Sequence, residues 1–226
     1  MKAVRFVALA WLCSAVGAAQ TSADLGGDMQ AIARALGVSC DYCHDAARGS
    51  GAPEPKKNIA REMIAMTREL NARVRQVTGN ASAKVECVTC HRGVPIPRQL
   101  ADIIADTLRA QGADAAVAQY RELRQRFYGR DAYDFSAEAL VDLADRIVAS
   151  RPDDAIALMK LNLEYNPKSA RSYATIGYAY TRKFDDETAA VYYKKALEIE
   201  PDNSVIQGRL ASLASSKRRS KEEQVK

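Results

Sequence analysis

The chain carries one five-residue motif twice, Cys40-Asp-Tyr-Cys43-His44 and Cys87-Val-Thr-Cys90-His91. The two copies use both of its histidines and four of its five cysteines. Cys-x-x-Cys-His is the attachment motif of c-type haem. Two thiols one helical turn apart can each bond a haem vinyl group, and the histidine that follows places its imidazole on the iron as proximal ligand. The expectation is therefore two covalent haem c groups, one on Cys40 and Cys43 with His44, the other on Cys87 and Cys90 with His91. A structural zinc site is the competing reading. Against it, Cys43 and Cys87 stand much further apart than the roughly 15 to 20 residues between zinc-ribbon knuckles. A site made of four thiolates also has no use for either histidine. A disulfide framework suits an exported protein, but it too leaves both histidines unexplained.

With no third histidine, the second axial ligand of each iron must be a methionine, another donor such as lysine, a partner's residue, or none. Beyond residue 19 the methionines are Met29, Met63, Met66 and Met159. Met29 lies eleven residues before Cys40, within reach of the first haem. Met63 and Met66 stand three apart on one helical face, so one is expected to bind the second iron and the other to pack. Met159 falls in a later helical stretch and is expected in its core.

These residues must be positioned by short helices. A helix is expected over Met29–Leu36 with Asp28 as its N-cap, stopped by Gly37 just before the first motif. Residues 49–55 (Gly-Ser-Gly-Ala-Pro-Glu-Pro) form a loop by composition. A second helix is expected from about Lys57 to Val77, with Ile59, Met63, Met66 and Leu70 on one face. Thr78-Gly-Asn80 ends it, and Gly93-Val-Pro-Ile-Pro97 reads as an extended exit from the second motif.

Composition divides the chain. Tyr42 is the only aromatic residue between Asp24 and Arg98, whereas twelve of the fifteen aromatics follow residue 99. A segment so poor in large side chains builds a thin core, and two porphyrins would supply the missing apolar mass. The basic start Met1 to Arg5 and the apolar stretch Phe6 to Ala19 read as a cleaved signal peptide carrying Cys13. That stretch is shorter than the roughly 20 residues of a spanning helix. A periplasmic or otherwise exported protein is expected. The formal charge is +5, to which Lys2 and Arg5 contribute two. An exported chain of this charge is a poor nucleic-acid binder, and its cluster Lys217 to Arg219 with Lys221 reads as a solvated tail.

The run Met29-x6-Leu36-Gly-Val-Ser-Cys40-Asp-Tyr-Cys43-His44 is followed by Ile59-Ala-Arg-Glu-Met63-Ile-Ala-Met66-Thr-Arg68-x-Leu-Asn71 and then by Cys87-Val-Thr-Cys90-His91-Arg-Gly93. Over about residues 25–98 it resembles half of the tetrahaem cytochrome c subunit of photosynthetic reaction centres. The resemblance implies electron transfer, with each distal ligand a methionine on the helix preceding its haem motif. The matching positions are Met29 for the haem on His44 and Met63 for the haem on His91, with Met66 the alternative to Met63. The chain departs from that family in having two motifs rather than four and in lacking the usual lipid anchor.

After Arg98 the pattern changes. Tyr173, Ile176, Gly177, Tyr180, Ala189, Tyr193, Ala196 and Pro201 fill the large, small and turn positions of a tetratricopeptide repeat. Ala155, Leu163 and Pro167 stand 34 residues before Ala189, Leu197 and Pro201, which is the period of that repeat. A further helical pair over Leu100–Ala110 and Ala113–Tyr128 would give three stacked hairpins. The expected architecture is all-α: a signal peptide over 1–19, a small dihaem cytochrome c domain over 20–98, helical repeats over 99–215, and a basic, disordered tail over 216–226. The expected function is outer-sphere electron transfer between redox partner proteins, a membrane electron-transfer complex among them, with the repeats docking a protein partner. Two alternatives stand beside it. One is a dihaem peroxidase-like enzyme, for which Glu62 or Glu86 would have to serve as acid or base because both histidines are committed to iron. The other is a redox-sensing scaffold.

Overall fold

A computed structural model describes residues 22–44 and 55–224, whose regular structure is entirely helical. The expected signal peptide lies outside the described residues. Among them, no helix is long and apolar enough to cross a membrane. The chain divides into two compact units, Met1–Cys87 and Val88–Lys226. The division falls inside the second Cys-x-x-Cys-His, ahead of the expected boundary near Arg98, and both Val94 and Leu100 are buried.

The first unit is built on two helices. Helix α1 spans Ser22–Leu36. It begins ahead of Met29, so Asp28 is not its N-cap but lies inside it; the backbone stays helical through Gly26 and Gly27, at a cost of roughly 1 kcal/mol each relative to Ala. Its end is a Schellman turn: Gly37 takes a φ of 65° and donates to the Arg34 carbonyl, while the Val38 amide donates to that of Ala33. Helix α2 spans Pro55–Thr78, with proline at the first position, where its missing N–H costs nothing. Gly79, at a φ of 66°, ends it. None of its 24 residues is buried. One stripe, which includes Ala60, Met63, Ile64, Thr67 and Asn71, is half-buried; a second, Ile59, Met66, Leu70 and Val77, is apolar and exposed. Helix α3, Cys87–His91, is the second motif itself.

The second unit stacks three helical hairpins. They are α4 (Leu100–Gln111) with α5 (Ala113–Phe127), α6 (Ala137–Ile147) with α7 (Pro152–Tyr165), and α8 (Ala170–Arg182) with α9 (Asp186–Ile199). Helix α10, Ser204–Gln224, packs on α9. Its helical backbone continues through the basic C-terminal run, where composition pointed to a disordered tail; no proline or glycine follows Gly208 to stop it. Helices α4 to α8 share one core in which Ile104, Leu108, Leu140, Leu158, Met159 and Ile176 are at most 2% exposed, and Ala189, Tyr193 and Ala196 of α9 form a second with Ile206 of α10. Buried Asn162 donates to the Ala137 carbonyl and the Ser172 hydroxyl, tying α7 to the helices on either side. Arg171 on α8 meets Glu138, Asp142 and Asp145, which lie along α6. Asp185 caps α9 through the Thr188 amide, and that bond holds its carboxyl below the usual range, so the cap is in place at neutral pH and is lost only as acid protonates it.

Two core positions give tests. A Cβ on Gly177 would lie 2.8 Å from the Tyr193 ring and 3.2 Å from the Ala189 carbonyl oxygen, so α8 and α9 approach this closely only over glycine. Gly177→Ala is expected to cost about 1–3 kcal/mol and to lower the melting temperature by several degrees in thermal denaturation. Tyr120 is fully buried against Phe135, and its hydroxyl has no hydrogen-bond partner among the described residues; burial pushes its phenol pKa up. Tyr120→Phe removes an unpaired polar atom and keeps the ring, so the variant is expected to melt at or above the parent temperature.

Candidate haem-attachment sites

At the first motif the chain leaves the Gly37 turn and tightens at once into a single 3-10 turn, Cys40–Tyr42. The Cys43 and His44 amides both donate to the Cys40 carbonyl, at 3.2 and 3.0 Å. This turn places Cys40, Cys43 and His44 on the wall of one cavity that Met29 also lines. Met29, Leu36, Cys40, Cys43, His44 and Ile64 all line it. Its empty space, open mouth included, is about 790 Å³. The wall is almost wholly apolar, and its cations are Lys57 and Arg61, both from α2. Beside it Lys56 stands 3.8 Å over the Tyr42 ring, a cation–π contact that braces the turn between the two cysteines.

The second motif is positioned from both sides. Upstream, the Asn71 side chain on α2 accepts from the Val85 amide at 2.5 Å and donates to the Val85 carbonyl at 2.9 Å, pinning the strand of chain that leads into Cys87. Downstream, Arg92 (φ 47°) and Gly93 (φ 90°) turn the backbone back on itself, and the Val94 amide donates to the His91 carbonyl at 3.0 Å. The same turn brings the Val94 carbonyl to 3.0 Å from His91 Nδ1, with the ring 8% exposed. A carbonyl oxygen can only accept, so this bond requires the proton on Nδ1. In the neutral ring it leaves the Nε2 lone pair for a metal, the orientation that second-sphere bonds impose on ligating histidines.

The structure brings together four of the sequence-derived site residues: Met29, Cys40, Cys43 and His44. Met63 and Met66 do not line that cavity. Met63 is half-buried on α2 and Met66 is 49% exposed on the outer apolar stripe. Met159 lies in the repeat core, as expected. None of the four described cysteines forms a disulfide, and among the described residues no group of three or more His, Cys, Asp or Glu side chains is gathered into a metal centre. Two thiols, an imidazole and a thioether around an apolar cavity suit a covalently held haem. Sequence reasoning gave Asn71 and Val94 no role. An amide on the inner face of α2 was the available signal for the first; nothing in the residue type marked the second, because its backbone carbonyl does the work.

Residues 29–127 match the family described as photosynthetic reaction centre cytochrome C subunit, and residues 170–203, which are α8, α9 and the turn after them, match a tetratricopeptide repeat. The first match continues through α4 and α5. Cytochrome c-554 of Chloroflexus aurantiacus is 36% identical over 67 residues, which is 29% of this chain and 16% of that protein. The chain therefore covers about a sixth of the relative. Together the matches support a cytochrome c domain followed by tetratricopeptide repeats.

Asn71→Ala would leave the Val85 amide and carbonyl without their partner, a loss of about 1–3 kcal/mol of local stability. Hydrogen exchange should show lost protection at Val85 and in the turn before Cys87, with the repeat helices unchanged; unaltered exchange at Val85 would refute the clamp.

Proposed function

We propose that this chain is an exported dihaem c-type cytochrome that passes electrons by outer-sphere transfer and is docked to a partner by its repeat array. The observation that carries the reading is the convergence of Met29, Cys40, Cys43 and His44 on one apolar cavity. Of the two carboxylates that a peroxidase-like reading would need, Glu62 is exposed and Glu86 pairs with Lys84 at the surface. The likeness to reaction-centre cytochromes and to cytochrome c-554 supports a carrier. The tetratricopeptide match supports protein docking, since such arrays present extended surfaces to partners.

In this reading Cys40, Cys43, Cys87 and Cys90 form the thioether links, and His44 and His91 are the proximal ligands. Met29 is the distal ligand for the first site. Met63 is the distal ligand for the second, with Met66 as the alternative. Met63 sits on the half-buried stripe of α2 and has less freedom to lose on binding than exposed Met66. A haem held this way supplies a one-electron iron couple whose potential rises with thioether ligation. The chain does the rest. The cysteines fix orientation, the Val94 carbonyl fixes the His91 tautomer, and the apolar wall around Met29 keeps water away. The functional division proposed is a dihaem domain over 20–98 and repeats over 99–215.

Single Leu replacements at Met29, Met63 and Met66 test this, in protein expressed with a haem-attachment system. Intact mass should equal the polypeptide without its signal peptide plus two haems, and polypeptide mass alone would overturn the reading. The methionine-to-iron charge-transfer band of the oxidised protein should weaken by about half in the Met29 and Met63 variants and persist in the Met66 variant. A persisting band in Met63→Leu with loss in Met66→Leu would exchange those two roles.

A further inference from the structure

Helix α2 carries six cations against two carboxylates, Glu62 and Glu69. Lys57, Arg61, Arg68 and Arg75 recur at spacings of four and seven, which aligns them in one row along the helix. The three arginines are exposed. The ordinary reading of such a row is a solvated face laced by i,i+4 acid–base pairs. Here the pairs are missing. Three and four residues to either side of Arg61, Arg68 and Arg75 the chain has Lys, Asn, Ile, Ala, Thr and Gly, and no acid. Among the described residues none of the three arginines forms an ion pair. Arg61 donates to the Asn58 amide oxygen at 2.8 Å, which orients its guanidinium and leaves its charge in place. The second unit behaves differently: Arg98, Arg109, Arg121, Arg151 and Arg171 each meet a carboxylate. The row also has a direction. Its first members, Lys57 and Arg61, line the cavity that holds the first Cys-x-x-Cys-His, and from Arg61 to Arg75 it extends about 21 Å along α2 at 1.5 Å per residue. A standard protein interface of about 800 Å² per partner is roughly 30 Å across, so a row of this length falls within one.

We propose that the Arg61–Arg68–Arg75 row is the docking surface for a redox protein with an acidic face, steering it to the mouth of the first haem cavity. The inference rests on the haem reading above. Unneutralised charge leading to a redox site raises the rate of encounter with an oppositely charged partner, and salt abolishes the gain. An anionic membrane is the weaker occupant. The exposed apolar stripe of α2, which a membrane-lying helix would bury, lies on the opposite side of the helix, so insertion would turn the arginines away from the lipid headgroups.

The test uses the full haem-loaded chain, with loading verified by mass and visible spectrum, so failure to attach haem is seen separately from failure of the row. Stopped-flow mixing follows one-electron oxidation of the ferrous protein by hexacyanoferrate(III), an anion reduced to hexacyanoferrate(II), and by tris(phenanthroline)cobalt(III), a cation reduced to the cobalt(II) complex. The row variant replaces Arg61, Arg68 and Arg75 by Gln; a control of equal charge change replaces Lys160, Lys168 and Lys194, which are exposed on the second unit. In the row variant the hexacyanoferrate rate at low salt should fall roughly tenfold, the cobalt rate should hold or rise, and the difference should vanish in high salt. Poly-L-glutamate should slow the hexacyanoferrate reaction of the parent and not of the row variant. Equal effects in the row variant and the control would overturn the proposal, since net charge alone would then be at work. Row-dependent binding to phosphatidylserine vesicles without the rate effect would overturn it in favour of a membrane surface.

Discussion

The first unit depends on an imbalance between surface and core. A 24-residue helix that buries none of its own side chains has no conventional core to hold it, and α1 contributes little more, with Ala35 its one buried residue among those described. Helices of these lengths are marginal in water without a packed face. What the unit offers instead is apolar surface around one attachment motif, and a covalent porphyrin is the kind of group that would cover it. In the proposed reading cofactor binding and folding are then one event, as in other small domains organised by a metal centre. The local devices are consistent with that demand. The Schellman turn at Gly37, the 3-10 turn at Cys40 and the Asn71 clamp on Val85 each fix a short stretch of backbone beside the attachment residues without recruiting a hydrophobic core.

The second unit is held in the opposite way. Its hairpins bury large side chains on one another, and its close approaches are set by small ones, most sharply where α9 passes over Gly177. Some of its cations pair with carboxylates of other helices, as Arg171 does with those of α6 and Arg121 with Glu164. Exposed pairs of this kind add little stability, of order 0–1 kcal/mol each. On α2, Arg61, Arg68 and Arg75 form no ion pair among the described residues.

Much of this was legible from the residues alone. The motif residues, the helical class, the stop at Gly37, the break after Thr78 and the three hairpins all follow from local rules: spacing, glycine conformation and the 34-residue period act over a few residues and need no tertiary context. Local rules also explain the misreadings. Asp28 has the chemistry of a cap, yet the helix runs past it because cap preference is worth only about 1 kcal/mol and the backbone ahead of it stays helical.

The sequence by itself determined the chemistry: two Cys-x-x-Cys-His units, no spare imidazole, a short set of methionines, and a repeat with a fixed period. These are properties of residue type and spacing, and covalent attachment needs nothing more distant than one helical turn. Only the tertiary structure decided which of those residues share a cavity. It joined Met29 to the first motif across a helix end, while Met63 and Met66 do not line that cavity. It gave Val94 its role through a backbone carbonyl, which no side chain advertises, and it made Asn71 a clamp fourteen residues from its partner. These outcomes depend on where the chain returns to itself, and that is set by packing and turns acting together rather than by any one residue.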